Sequence, residues 1–324
     1  MPKILPAGSR SWWQLGAILA VLLTLPLVIS QYNVYLLTLI LVYALLATSL
    51  NLVLGYGGML QLHHGVFFGL GAYTVALTVT KTSLPFWAGV AAAPLVAAFF
   101  AFLIGWFCVR LKGLYFGMLT LALGQLIWSV VYRWYELTGG DDGIHGIAVP
   151  EWLDSITAAY YAGLAVVAVC LFVLYRIVRS PFGIGLQACR DNSQRSESVG
   201  INLRRHRLIA FVIGGFFAGV AGILLVLAEG SVSPDVVYWE ISAEIMIMCL
   251  AGGMYTFWGP AVGALAVVFL SNFIGAQTEY WLLILGAVLM AIVLFMPQGI
   301  LGYLQEKWSS VSLRRAAGEK HVAG

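Results

Sequence analysis

The stretch RIVRSPFGIGLQACRDNSQRSESVGINLRRHR, residues 176–207, decides how the rest of the chain is read. It carries Arg176, Arg179, Arg190, Arg195, Arg204, Arg205 and Arg207 against only Asp191 and Glu197, and apolar runs long enough to span a bilayer flank it on both sides. That much charge stays out of hydrocarbon, and arginine-rich loops sort to the cytoplasmic side. The loop is also longer than a reversal of direction needs, so it offers a soluble partner something to grip.

Working outward, the chain is 61% hydrophobic and 10% charged with a mean hydropathy of +0.93, far from the roughly 25% charge of a soluble domain. The composition implies an all-α polytopic membrane protein. A span takes about 20 mostly apolar residues. Ten candidates lie near 12–30, 35–54, 60–80, 86–109, 114–135, 157–178, 207–228, 240–251, 258–275 and 279–296. The third and eighth are rich in glycine and weaker than the others, so the expectation is about 8–10 transmembrane helices.

Charge checks the count independently. With ten spans, Lys3, Arg10, Arg110, Lys112, the loop arginines, Lys307, Arg314, Arg315 and Lys320 share the inner side, and only Lys81 and Arg133 do not. Glu136, Asp141, Asp142, Glu151, Asp154, Glu229, Asp235, Glu240 and Glu279 fall at or beyond the outer face. Both termini then read as cytoplasmic. Tails 1–11 and 304–324 flank one permease domain, 12–303, whose cytoplasmic loop runs over about 179–206. A signal peptide is the rival reading of the N-terminus, but the apolar run is long for an h-region and contains Pro26. The net charge of +3 is juxtamembrane bias and implies no nucleic-acid partner.

Candidate chemistry is sparse. Cys108, Cys170, Cys189 and Cys249 have no paired spacing and read as free thiols. His63 and His64 are adjacent, so they cannot form a metal pair one helical turn apart, and the expectation is one packing and one polar contact, with no metal. Polar residues at membrane depth are functional candidates by default. Asn51, Gln125, Glu244 and Asn272 fall within or near the ends of spans; Glu244 reads equally as path-lining and as solvated.

Two glycine-broken segments resemble each other. Gly57-Gly58-Met59 is followed by Gly65, Gly69 and Gly71, and Gly252-Gly253-Met254 by Gly259, Pro260 and Gly263. A broken helix is tolerated in lipid only where protein or a water-filled path satisfies the freed backbone. Paired broken segments in two halves of a transporter point to its translocation path. Glycines at this spacing also let helices pack closely, so both readings stand. The candidate path comprises Gly58, Gly65, Gly69, Gly71, Gln125, Glu244, Gly252, Gly253, Gly259 and Pro260.

Taken together, these residues resemble a known family. Gly55-Tyr56-Gly57-Gly58 through His64-Gly65-Val66-Phe67-Phe68-Gly69-Leu70-Gly71-Ala72-Tyr73 is similar to a segment of the permeases of branched-chain amino acid ABC importers. Leu111-Lys112-Gly113-Leu114-Tyr115-Phe116, Leu137-Thr138-Gly139-Gly140 with Gly143-Ile144, and Arg190-Asp191-Asn192 with Gly200-Ile201 follow in order. Ala210-Phe211-Val212-Ile213, Phe217-Ala218-Gly219-Val220-Ala221-Gly222, Gly252-Gly253, Trp258-Gly259-Pro260 and Pro297-Gln298-Gly299 complete the series. The chain resembles the larger of the family's two paired permeases from about residue 35 to 303.

The resemblance implies a multi-pass protein of the bacterial inner membrane, working with a second permease, two cytoplasmic ATPases and a soluble substrate-binding protein outside. This chain would bind no cofactor, with ATP and Mg on the partner ATPases. It carries no Gly-x-x-x-x-Gly-Lys-Ser/Thr phosphate loop. The family's ATPase-coupling segment carries over to Arg190, Asp191, Asn192, Glu197, Gly200 and Ile201, with Ser193 where the family usually has an acid. The expected function is half of a translocation path for branched-chain or related hydrophobic amino acids. Alternatives are a permease of the same family for urea, short amides or other amino acids, and an ion-coupled secondary transporter. The acidic outer loops read either as a docking field for the binding protein or as simple exclusion of positive charge.

Replacing Gly200 with a bulky residue is expected to uncouple ATP hydrolysis from uptake while leaving insertion intact. Normal uptake by such a variant at normal expression would remove the coupling role from this segment.

Overall fold

The computed structural model describes residues 21–303, apart from Ser83 and part of the stretch 279–297. The first and tenth candidate spans therefore lie partly, and both tails wholly, outside the described residues. Each of the eight spans between them contains a helix. They are α1 (Gln31–Asn51, prolonged by a π turn Leu52–Tyr56), α2 (Gly65–Lys81), α3 (Phe86–Cys108), α4 (Leu114–Arg133) and α5 (Ile156–Arg179). The short α6 (Pro181–Asp191) and α7 (Ser193–Ser198) lead into α8 (Leu203–Glu229), α9 (Trp239–Gly252) and α10 (Gly259–Gly275).

Five of these are long and apolar enough to cross a membrane: 31–56, 86–108, 114–133, 156–179 and 203–229. Burial ranks them. The apolar window of α8 is 78% buried, whereas those of α3, α4 and α5 are 28–33% buried, which puts α8 at the centre and leaves the others a broad apolar flank. Phe99, Phe107, Leu126, Val169 and Phe172 are exposed on that flank, where lipid accepts them without cost.

Lipid tails are as apolar as leucine, so no hydrophobic drive pulls helices together inside a bilayer, and close backbone approach has to do it. Glycines on α8 provide that approach on several sides. Gly215 and Gly219 sit on Ala101 and Ala97 of α3, Gly71 of α2 meets Gly219, Gly222 backs onto Phe68 and Ala72, and Gly214 faces Ser49 and Val53 of α1.

The third and eighth spans differ from the sequence expectation. The third does not start as helix at residue 60. From Gly57 the chain runs irregularly along α4: a Cβ on Gly117 would press on the Leu60 carbonyl, the Leu62 N–H points to Thr120 Oγ1 (3.4 Å), and the His63 ring lies on Gly124. Those contacts advance about 10 Å along α4 before α2 begins. The eighth is a 14-residue helix, about 21 Å long where the hydrocarbon core is about 30 Å. A 3-10 turn, Pro234–Val237, completes it, packed on Gly65 and Gly69 of α2.

This geometry corrects the placement of Glu240. Tyr238 packs its ring 4.8 Å from Trp128 on α4, only one turn beyond Gly124 near that helix's middle. Glu240 therefore lies at membrane depth, within roughly 10 Å of the midpoint of α4, and not at or beyond the outer face. It is exposed on the surface of the chain.

The loops sort to two ends. At one, Ile144 pairs with Val232, Ile147 N–H donates to the Gly230 carbonyl (3.0 Å), and Trp87 stacks on Trp152. At the other, Gly55, Met254 and Arg190 meet. The acidic loops gather at the first end and the arginine loop at the second, as the charge pattern requires.

Gly222→Leu should lower the melting temperature of the detergent-solubilised protein, because overpacking against the α2 backbone costs about 1–3 kcal/mol. Gly163→Ala should leave it unchanged, since its Cβ would meet only Thr38 Cγ2 at 3.9 Å.

Candidate functional site

The two discontinuous crossings meet at mid-depth. The first backbone N–H of α2, on Gly65, donates to Ser242 Oγ of α9 (2.8 Å). Beside it the His64 ring is fully buried between Ser49 Oγ (2.9 Å from Nε2) and the Gln61 side chain (3.2 Å from Nδ1). The Gln61 oxygen faces the ring, so Nδ1–H donates to Gln61 Oε1 and Nε2 accepts from the Ser49 hydroxyl, which also lies 2.7 Å from the Leu46 carbonyl. The irregular backbone thus finds donors and acceptors within the protein, as a dry environment demands.

Along the same seam, several buried polar atoms have no protein partner among the described residues: both His63 ring nitrogens, the Tyr73 hydroxyl and the Trp128 indole N–H. Gln125 lies beside His63 without reaching hydrogen-bond geometry. On α9, Glu244 is half-buried near Tyr43 of α1. Glu240 stands one turn before it on the same helix face.

Most of the candidate path glycines are covered by protein. Gly65 faces Ser242 and Val236, Gly69 faces Val237, Gly71 faces Gly219, and Gly252 lies against the backbone of Gly259 and Gly263. In this conformation they let backbones meet. Pro260 opens α10, where its missing N–H costs nothing.

At the end that carries the arginine loop the two breaks touch each other. Gly55 lies against the Met254 carbonyl with no room for a Cβ, and Asn51 Nδ2 donates to the Thr256 carbonyl (3.3 Å). Gly58 (φ +64°) and Gly253 (φ +115°) supply the left-handed turns that end α1 and α9.

The arginine loop is ordered by caps. Ser180 Oγ accepts from Gly183 N, Asn192 Oδ1 from Arg195 N (3.0 Å) and Asn202 Oδ1 from Arg205 N (3.0 Å), starting α6, α7 and α8 in turn. Gly200 (φ +91°) closes α7, with the Ile201 N–H returning to the Ser196 carbonyl (3.0 Å). Leu186, Cys189 and Ser196 face inward, while Arg195, Glu197, Val199 and Gly200 are exposed. Burial raises the Cys189 thiol above its ordinary pKa, against the pull of nearby Arg207, which keeps it a thiol at neutral pH.

Of the coupling residues read from sequence, Glu197 and Gly200 present themselves at the surface, Asn192 is a cap and Ile201 is half-buried. Arg190 turns inward. Ser193 donates to the Cys189 carbonyl (3.0 Å) and receives Arg207 (3.4 Å), so it holds the loop together from within. Sequence reasoning missed Ser49, Thr120, Ser242 and Tyr255, because single hydroxyls in apolar runs carry no pattern.

At the opposite end a cavity of about 510 Å³ is lined by His145, Asp154 and Glu229 among others. The acidic loop beside it is held locally: Tyr135 donates to Asp141, and the His145 ring bonds the Asp142 carbonyl (2.7 Å). Among the described residues no group of His, Cys, Asp and Glu could hold a metal ion.

Residues 32–293 match the family model described as branched-chain amino acid transport system / permease component. The high-affinity branched-chain amino acid transport system permease protein LivM of Escherichia coli K12 is 32% identical over 93% of this chain and 78% of its own length. The LivH protein of the same strain, also a permease of that transport system, is 26% identical over 80% of this chain and 91% of its own. Among solved structures, PsaBC from Streptococcus pneumoniae in complex with Fab aligns with 85% of this chain and 95% of that one, at 17% identity and a TM-score of 0.45.

Ser242→Ala leaves the Gly65 N–H unpaired at mid-depth and should cost about 1–3 kcal/mol of stability, read as a lower melting temperature. Ser242→Thr, which keeps the hydroxyl, should retain most of it.

Proposed function

The chain belongs to the branched-chain amino acid transport permease family, and from that premise we propose that it is the M-type permease subunit of an ATP-binding-cassette importer. It forms half of a translocation path for branched-chain or related hydrophobic amino acids. One observation carries this reading: two discontinuous crossings are bonded to each other at mid-depth through Gly65 and Ser242, and their inner breaks lie at the same end as a capped, arginine-rich loop. Broken crossings mark a path that opens and closes. An ordered, surface-facing loop at their ends is where an external motor can push.

The partners rest on the family. A second permease supplies the other half of the path, two cytoplasmic ATPases bind ATP and Mg against the α6–α7 segment, and a binding protein delivers cargo at the acidic end. The arginine loop and both termini then face the cytoplasm of a bacterium. The substrate class rests on what the relatives are named for, and urea, short amides or other amino acids remain the alternative within the same architecture. Glu240 and Glu244, one turn apart on α9, are the groups an ion-coupled carrier would also use.

Affinity purification of the tagged protein in mild detergent from its native host should recover two ATPases and a second permease. Purification alone at full occupancy, with solute movement in liposomes that needs no ATP, would replace the importer with the ion-coupled carrier.

A further inference from the structure

We infer that Arg190 is the positioning residue that carries movement of the α6–α7 segment into the inner ends of both discontinuous crossings. The inference rests on the importer reading above.

The contacts of this side chain converge from three elements. Its Nη1 donates to the Gly55 carbonyl (2.5 Å). Its guanidinium lies 5.3 Å from the centroid of the Tyr255 ring, inside the second break. Its Nε and Nη2 both reach Asp191 Oδ1 (2.8 Å each). The aliphatic stem covers Gly58, where a Cβ would stand 2.5 Å from Arg190 Cγ.

Each contact has a physical reason. The π turn ends α1 at Tyr56, so the Gly55 carbonyl has no residue four positions on to bond it within a helix. Gly57, Gly58 and Met59 N–H groups return to Leu52, Leu54 and Val53, leaving Gly55 for the guanidinium. A cation at a helix C-terminus also complements the negative end of its dipole. The rigid fork lets one arginine bond a carbonyl and a carboxylate while its face lies on an aromatic ring, an arrangement the point charge of lysine cannot reproduce.

The mechanical consequence follows from rigidity. α6 is seated through buried Leu186 and Cys189 and tied to α7 through the Asn192 cap, so the segment moves as one body. A shift of α6 displaces the guanidinium, and with it the Gly55 carbonyl and the Tyr255 ring. Gly55 in turn lies against the Met254 carbonyl with no room for a Cβ between them, so the two breaks move together. A cap that only stabilised α1 would need neither the Tyr255 contact nor a position on the motor-facing loop.

The test is a double-mutant cycle on the complex reconstituted with its partner subunits, reading solute transported per ATP hydrolysed. Arg190→Ala and Tyr255→Leu should each lower that ratio by roughly fivefold or more, and the double variant should be no worse than the poorer single one. Arg190→Lys should fall between wild type and Arg190→Ala. Unchanged ratios with only a lower melting temperature would reduce Arg190 to a helix cap, and additive losses would deny the shared link. Should Arg190→Ala fail to assemble, Tyr255→Leu and Arg190→Lys decide on the same readout: a lowered ratio supports the link and a wild-type ratio overturns it. Wild-type complex without ATP-dependent uptake would sink the importer reading instead.

Discussion

Backbone that leaves the helix inside a bilayer must find its hydrogen bonds in the protein, because hydrocarbon offers none. Two stretches here do so, residues 57–64 and 231–238, and the arrangement of the rest follows from housing them. Ser242 takes the first N–H of α2, Thr120 faces Leu62, and His64 bridges Ser49 and Gln61. Ser242, Thr120 and Ser49 come from three different helices, so α9, α4 and α1 have to stand around α2. The central α8 brings them near enough by presenting glycine and alanine where larger residues would hold the backbones apart.

The same irregularity is what makes the molecule useful to a transporter. A continuous helix resists bending, whereas a crossing that is part helix and part loop pivots at its break. The break that follows α1 and the turn that ends α9 lie at one end, touch at Gly55 and Met254, and lie under a loop whose three caps keep it stiff. In the importer proposed above, a stiff lever on a soft joint would transmit a push from outside the membrane. Arg190 occupies the point where lever and joint meet.

Much of this was legible in the sequence, and the exceptions share a cause. Long apolar runs gave the helices, the side-by-side glycines gave both breaks, and the excess of arginine over acid in residues 176–207 gave the orientation of the loop relative to the breaks. Glu240 was misplaced because hydropathy counts a span as a helix along its whole length, and the outer half of this crossing is a turn. Whether Gly71 and Gly252 line a path or pack was open in the sequence; their neighbours, Gly219 and Gly259, make them packing contacts in this conformation. The bond between Gly65 and Ser242 joins residues 177 apart, and that between Arg190 and Gly55 joins residues 135 apart. No local pattern announces partners at such separations.

Everything functional in this account depends on the chain being moved by others. Solute uptake into proteoliposomes holding the complete complex, with binding protein outside and nucleotide inside, measures that directly. Uptake should require hydrolysable ATP and persist when ion gradients are collapsed. Uptake that follows an ion gradient and ignores ATP would contradict it, and would make the mid-depth carboxylates of α9 the coupling groups in place of the arginine loop.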